Sequence, residues 1–64
     1  MARRVTETGR LLRRGTAFVL VRDDGGTWQL DAPRYAEALL GRRIRITASR
    51  IGFDRLSVEE MTPC

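Results

Sequence analysis

The feature that most constrains the fold of this chain is a glycine-rich turn between two segments of alternating apolar residues. Asp23-Asp24-Gly25-Gly26 separates two runs in which large apolar residues recur at every second position. Glycine tolerates positive φ and aspartate bonds its own backbone, so this composition is typical of a tight turn between antiparallel strands. Period-two alternation on both sides indicates half-buried strands. We therefore expect a mostly β structure.

The first half of the chain predicts three strands, at 5–13, 16–22 and 27–31. The alternation of the first run is interrupted after Gly9, and a glycine inside a strand often marks a bulge or a sharp bend. A small barrel needs such a bend in its long first strand. We therefore predict that Gly9 is the position at which the first strand turns.

The second half predicts a short helix and two more strands. Pro33 suits a first helical turn, and Gly41 is a natural stop after an apolar stripe, so a helix is expected over 33–40. Residues 43–50 alternate cleanly, and a last strand follows the turn at 51–54. A helix between strands 3 and 4 of five is the arrangement of an OB-fold-like barrel, β-β-β-α-β-β. The predicted stripe is Tyr35, Ala36, Leu39 and Leu40, and the predicted core is Leu11, Phe18, Leu20, Trp28, Leu30, Leu39, Ile44, Ile46, Leu56 and Val58.

Length and cysteine content bound the class of protein. A chain of 64 residues makes one domain, 1–64, in which residues 1–4 are expected as a flexible basic arm. The single cysteine, Cys64, allows no intramolecular disulfide and suits a reducing compartment. No apolar run is long enough to span a bilayer. We expect a cytoplasmic protein without a membrane segment.

Catalytic chemistry has little support in the sequence. Histidine is absent, which removes the usual general base, and Ser49, Ser57 and Cys64 have no partner visible in the sequence. Asp23 and Asp24 are explained by their turn, and no metal-ligand spacing or phosphate-binding glycine loop is present. We expect a binding domain rather than an enzyme, with no catalytic residue, no metal and no cofactor.

Four motifs resemble a small bacterial domain family of unknown function, and together they cover almost the whole chain. Each consists of turn and core residues. The resemblance therefore implies an OB-fold-like barrel and a bacterial origin, and it attaches no activity and no functional residue. The motifs are Gly9-Arg10-Leu11, Asp24-Gly25 with Trp28-Gln29-Leu30-Asp31, Leu40-Gly41-Arg42-Arg43-Ile44-Arg45-Ile46, and Gly52-Phe53-Asp54-Arg55-Leu56-Ser57-Val58.

The basic residues raise the question of a nucleic-acid partner. All twelve are arginine, and the net charge is +4 at pH 7. Guanidinium groups pair with phosphate, yet an arginine-biased composition on solvated positions explains the same count. OB-folds bind oligonucleotides between the loop joining strands 1 and 2 and the loop joining strands 4 and 5. Weak binding of single-stranded nucleic acid is thus predicted at one rim, formed by Arg13, Arg14, Arg50, Phe53 and Arg55.

Two further points are left open by the sequence. Phe53 serves equally well as a stacking platform or as a hydrophobic plug over the barrel end. Ala17, Val19 and Val21 form an outward apolar strip on strand 2, which favours a protein partner or a homodimer unless the N-terminal arm or the tail at 59–63 covers it. Protein–protein interaction or self-association, with no role in nucleic-acid binding, is therefore the alternative function.

Overall fold

The computed structural model describes residues 3–64, which form five strands and one 3₁₀ helix. The 3₁₀ helix lies between the third and fourth strands. The strands are β1 Arg3–Arg14, β2 Ala17–Arg22, β3 Thr27–Asp31, β4 Arg43–Arg50 and β5 Arg55–Pro63, and the helix is Arg34–Leu39.

The five strands form one sheet that closes into a ring. Their spatial order is β1-β2-β3-β5-β4, and β1 also pairs with β4. All neighbouring strands are antiparallel except β3 and β5, which run parallel over three residue pairs. The predicted fold class, five strands with one short helix between strands 3 and 4, is confirmed.

Gly9 is the point at which β1 changes partners. It pairs with Arg22 of β2 on one side and with Ile44 of β4 on the other. A Cβ atom at residue 9 would lie 2.3 Å from the carbonyl oxygen of Val21, closer than real Cβ contacts come. Its φ is not positive, so glycine is needed here for space and not for backbone conformation. The structure thus gives a steric reason for glycine at the position where the bend is predicted.

The hydrophobic core fills the inside of the ring. Six of the ten predicted core residues are buried, and the other four are partly exposed and pack against that core. Three further residues, which the predicted core omits, complete it. The buried six are Leu11, Leu20, Leu30, Ile44, Ile46 and Leu56, the partly exposed four are Phe18, Trp28, Leu39 and Val58, and the three additions are Ala36, Ala48 and Met61.

The helix differs from the α-helix predicted over 33–40. Six residues are too few to stabilise an α-helix by propagation, and a 3₁₀ turn is the usual form of so short a connection. Ala36 is completely buried, whereas Tyr35 is half exposed and does not join the apolar stripe as predicted. Gly41 follows with φ +82°, as expected for a stop. Within residues 3–64, no helix has the length and apolarity that a membrane span requires.

The two terminal segments are more regular than predicted. Arg3 and Arg4, assigned to a flexible arm, belong to β1, while Met1 and Ala2 lie outside the described residues. The tail at 59–63 belongs to β5, where it pairs with β4 and does not cover β2. A bulge between Thr47 and Ala48 leaves Glu59 without a direct β4 partner. Its carboxylate accepts a hydrogen bond from the Ser49 hydroxyl and lies 3.0 Å from the Arg4 guanidinium.

Candidate functional site

The outer face of β2 and β3 carries a row of side chains that crosses four strands. Leu12 is opposite Val19, Val19 is opposite Gln29, and Gln29 is opposite Arg55. Side chains alternate along a strand, and the residues that follow in β2, β3 and β5 are buried in the core. This row therefore lies on the outside of the barrel.

A groove opens on this outer face, with a volume of about 330 Å³. Val19 is only 4% exposed although it lies outside the core, so its side chain forms the floor. Most of the other lining residues carry polar or charged side chains. The lining residues are Arg14, Ala17, Val19, Thr27, Gln29 and Asp54.

Backbone hydrogen bonds fix the loop between β4 and β5 beside the groove. The amide of Ile51 donates to the carbonyl of Arg55 at 3.0 Å, which closes the loop on itself. The amide of Gln29 donates to the carbonyl of Asp54 at 2.8 Å, which ties the loop to β3. The loop is therefore anchored both to itself and to the groove wall.

Arg50 adds a third anchor for the same loop. Its guanidinium donates to the carbonyls of Gly52 at 3.0 Å and Phe53 at 2.9 Å. The same group lies over the Trp28 ring, 5.7 Å from the ring centroid. The Trp28 indole N–H is buried and finds no hydrogen-bond partner within residues 3–64. Arg50 thus joins the loop to an aromatic side chain of β3.

Phe53 is presented to solvent by this anchored loop. Its side chain is 90% exposed, the highest exposure among the large apolar residues that the structure describes as exposed. A plug over the barrel end would be covered by core side chains, so the structure rules out that alternative. An exposed aromatic ring on a loop fixed by hydrogen bonds is available for contact with a flat partner group.

The five predicted rim residues do not all share one surface. Arg14 lines the groove, Arg55 lies in the outer row beside Gln29, and Phe53 precedes the groove residue Asp54. Arg13 has the opposite parity to Arg14. Its guanidinium lies 2.6 Å from the Glu37 carboxylate and 5.4 Å from the centroid of the Phe18 ring.

Arg13 and Arg50 are therefore engaged within the chain, by an ion pair and by loop carbonyls respectively. Arg14 and Arg55 form no ion pair with any residue from 3 to 64. The set of residues left for a partner is Arg14, Phe53 and Arg55.

The acidic turn residues are engaged elsewhere in the barrel. The Asp24 carboxylate accepts a hydrogen bond from the amide of Gly26 at 3.1 Å and pairs with Arg22, which also reaches Glu7. Asp23 pairs with Arg43 of β4. These contacts confirm the predicted turn. Within the described part of the chain, no three potential ligand side chains cluster as a metal site.

Sequence reasoning missed two features of the groove. Asp54 was treated as a turn residue, and the strip formed by Ala17, Val19 and Val21 was treated as uniformly outward. Of these three residues only Ala17 is exposed, whereas Val19 is buried and Val21 is half-buried. The parity pattern did place Thr27 and Gln29 on this face. The burial of Val19 depends on long-range packing. The alternation of residues along a strand does not describe such packing.

Fold and site together define a small five-stranded β-barrel domain with a polar groove on one outer face. The chain belongs to the family described as "Protein of unknown function (DUF5818)", whose model matches residues 8–64. No curated protein and no solved structure matches the chain. The family match covers every residue that lines the groove.

Proposed function

We propose that this domain binds single-stranded nucleic acid across the outer face of β2 and β3. The observation that carries the proposal is Phe53, 90% exposed on an anchored loop beside the groove. Single-strand binders place exposed aromatic rings next to cationic side chains, so that bases stack while phosphates pair. The cations are supplied by Arg14, which lines the groove, and by Arg55, which lies opposite the groove residue Gln29.

The strand order supports this choice of face. A five-stranded ring in the order β1-β2-β3-β5-β4, with a short helix before β4, is the arrangement we assign to the OB-fold. OB-folds bind oligonucleotides and oligosaccharides on strands 2 and 3, between the two loops that flank the present groove. The net charge of +4 favours the anionic ligand. The same proposal assigns the protein to the bacterial cytoplasm, where a reducing environment suits its lone cysteine.

The contacts that Phe53, Arg14 and Arg55 can make set the expected affinity for single-stranded nucleic acid. One stacked base contributes about 1–3 kcal/mol, and two arginines neutralise about two phosphates. Binding should therefore be weak, in the range of about 10⁻⁴–10⁻⁶ M that is typical of non-specific complexes. It should also depend on salt, because each phosphate contact releases counterions.

The test is a titration of a labelled single-stranded oligonucleotide at several salt concentrations. For two phosphate contacts, log K should fall against log salt with a slope of about −1.4. Arg14→Ala and Arg55→Ala should each reduce this slope by about 0.7. Arg45→Ala is the matched control, because Arg45 lies on β4 opposite Thr8 and Thr62, away from β2 and β3. Absence of binding at low salt would refute the proposal.

Self-association through Ala17, Val19 and Val21 is the alternative function. The exposed Ala17 beside the groove is the observation in its favour, and the burial of Val19 reduces the apolar area that a second copy would cover. Sedimentation velocity over a concentration series, with Cys64 kept reduced, separates the two functions. A concentration-dependent dimer that Ala17→Lys abolishes would support self-association, and a monomer at all concentrations would exclude it.

A further inference from the structure

The groove carries a negative charge among groups suited to an anionic ligand. Asp54 lines it together with Arg14, and Arg55 follows directly in the chain. Within residues 3–64 the Asp54 carboxylate accepts no hydrogen bond and forms no ion pair, and the contact that fixes the residue is made by its backbone carbonyl. This carboxylate is therefore free to bind a ligand group.

A carboxylate at this position selects against phosphate and for hydrogen-bond donors. An ionised carboxylate is an acceptor only, and it repels another anion at short range. In a nucleic-acid strand, the N–H donors are on the bases. A base that enters the groove would then meet Asp54, while its phosphates remain near the arginines at the edges.

The groove has the size and lining for one base. Its volume of about 330 Å³ is at the lower end of the range of about 300–1,000 Å³ in which small molecules bind. Ala17 and Val19 provide an apolar surface for a flat ring, and the Gln29 amide and the Thr27 hydroxyl can each donate or accept. Such a surface with a few polar groups at its edge is typical of a site that orients a planar ligand.

We propose, on the basis of the proposed function, that this groove takes a single guanine and that Asp54 selects it. Guanine presents two adjacent donors, N1–H and the N2 amino group, which match the two oxygens of one carboxylate. Adenine and cytosine place an acceptor beside their amino group, and thymine and uracil place two carbonyls around a single N–H. The Gln29 amide is suited to donate to guanine O6.

The experiment compares oligothymidylates that carry one central guanine, inosine, adenine or cytosine, titrated at low salt. Guanine should bind about tenfold more tightly than the other bases, in keeping with one bidentate contact. Inosine keeps N1–H and lacks the N2 amino group, so most of the gain should be lost. Equal affinity for guanine and inosine would overturn the proposal.

Asp54→Asn and the matched variant Asp31→Asn locate the selectivity. Asp31 is an exposed acidic residue of β3 that does not line the groove. Asp54→Asn should abolish the preference for guanine and should bind plain oligothymidylate at least as tightly as the parent protein, because a negative charge is removed. Asp31→Asn should keep the preference. Selectivity that survives in Asp54→Asn would contradict the assignment.

Two outcomes separate this proposal from the one on which it rests. Loss of all oligonucleotide binding at low salt would refute the nucleic-acid function itself. Uniform binding of all four bases would leave that function standing and refute the guanine site.

Guanosine monophosphate, titrated alone, distinguishes the source of the base. It should bind at least tenfold more weakly than the guanine oligonucleotide if neighbouring phosphates and Phe53 contribute, and equal affinity would overturn the role of the strand.

Discussion

Replacement of Gly9 by alanine should destabilise the barrel at the position where β1 changes partners. The added Cβ would lie 2.3 Å from the Val21 carbonyl oxygen, whereas ordinary contacts begin at 3.4 Å. The backbone of β1 or β2 must therefore move by about 1 Å, in a place where Gly9 pairs with both β2 and β4. Overpacking costs about 1–3 kcal/mol, and a strained or broken ladder hydrogen bond adds about 1 kcal/mol. We expect Gly9→Ala to lose roughly 2–4 kcal/mol.

That loss is large for a domain of this size. Stabilities of about 0.05–0.15 kcal/mol per residue give roughly 3–10 kcal/mol for 64 residues. Thermal unfolding followed by circular dichroism should therefore show a melting temperature lowered by roughly 10–25 °C. Gly52→Ala is the control, because its Cβ would meet only the Arg55 Cβ at 3.5 Å and its φ is not positive. A Gly9→Ala variant as stable as Gly52→Ala would refute the steric requirement for glycine at this position.

Three other changes test single contacts. Trp28→Ala should lower the free energy of unfolding in urea by about 2–3 kcal/mol. This is less than the loss of about 3–5 kcal/mol for a fully buried aromatic residue, because the Trp28 side chain is partly exposed. An unchanged urea midpoint would contradict its packing against the core. Arg50→Ala should increase amide hydrogen exchange at 51–54 while the strands keep their protection, and unchanged exchange there would show that the guanidinium does not anchor the loop. Arg13→Ala should lower the free energy of unfolding by less than about 1 kcal/mol in the same urea assay, because its ion pair with Glu37 is exposed. A larger loss would contradict the small contribution expected of an exposed ion pair.

Local chemistry made most of the barrel predictable. The Asp24-Gly25 turn, the stop at Gly41 and the close approach at Gly9 each follow from a requirement that one residue type meets, so the sequence shows them directly. Alternation then gave the inner residues of each strand. It failed where burial depends on position along the barrel, because Trp28 lies on the inner parity and is still partly exposed. The alternation shows which face of a strand a residue lies on, and it does not show how deeply that residue is buried.

The candidate site was less predictable than the fold. Proximity in a loop suggested that Arg13 and Arg14 act together, but consecutive strand residues point to opposite faces, and only Arg14 reaches the groove. The approach of Asp54 to β3 depends on a contact between distant segments, because the Asp54 carbonyl accepts a hydrogen bond from the Gln29 amide. The hydrogen bonds from Arg50 to the carbonyls of Gly52 and Phe53 are local, and they depend on the conformation of the loop. Such contacts leave no periodic signal in the sequence. The sequence therefore predicts the rim residues but not the contacts that Arg13 and Arg50 make within the chain.

Binding at the groove can be located by a chemical-shift map of the protein, titrated with a short single-stranded oligonucleotide at low salt. We expect the largest amide shifts on the outer face of β2 and β3 and in the loop at 51–54, with Gln29 and Phe53 among them. Residues of β4 on the far side of the ring, such as Arg45, should be unaffected. Shifts confined to β1, β4 and the end of β5, or no shifts at all, would show that nucleic acid does not bind at this groove.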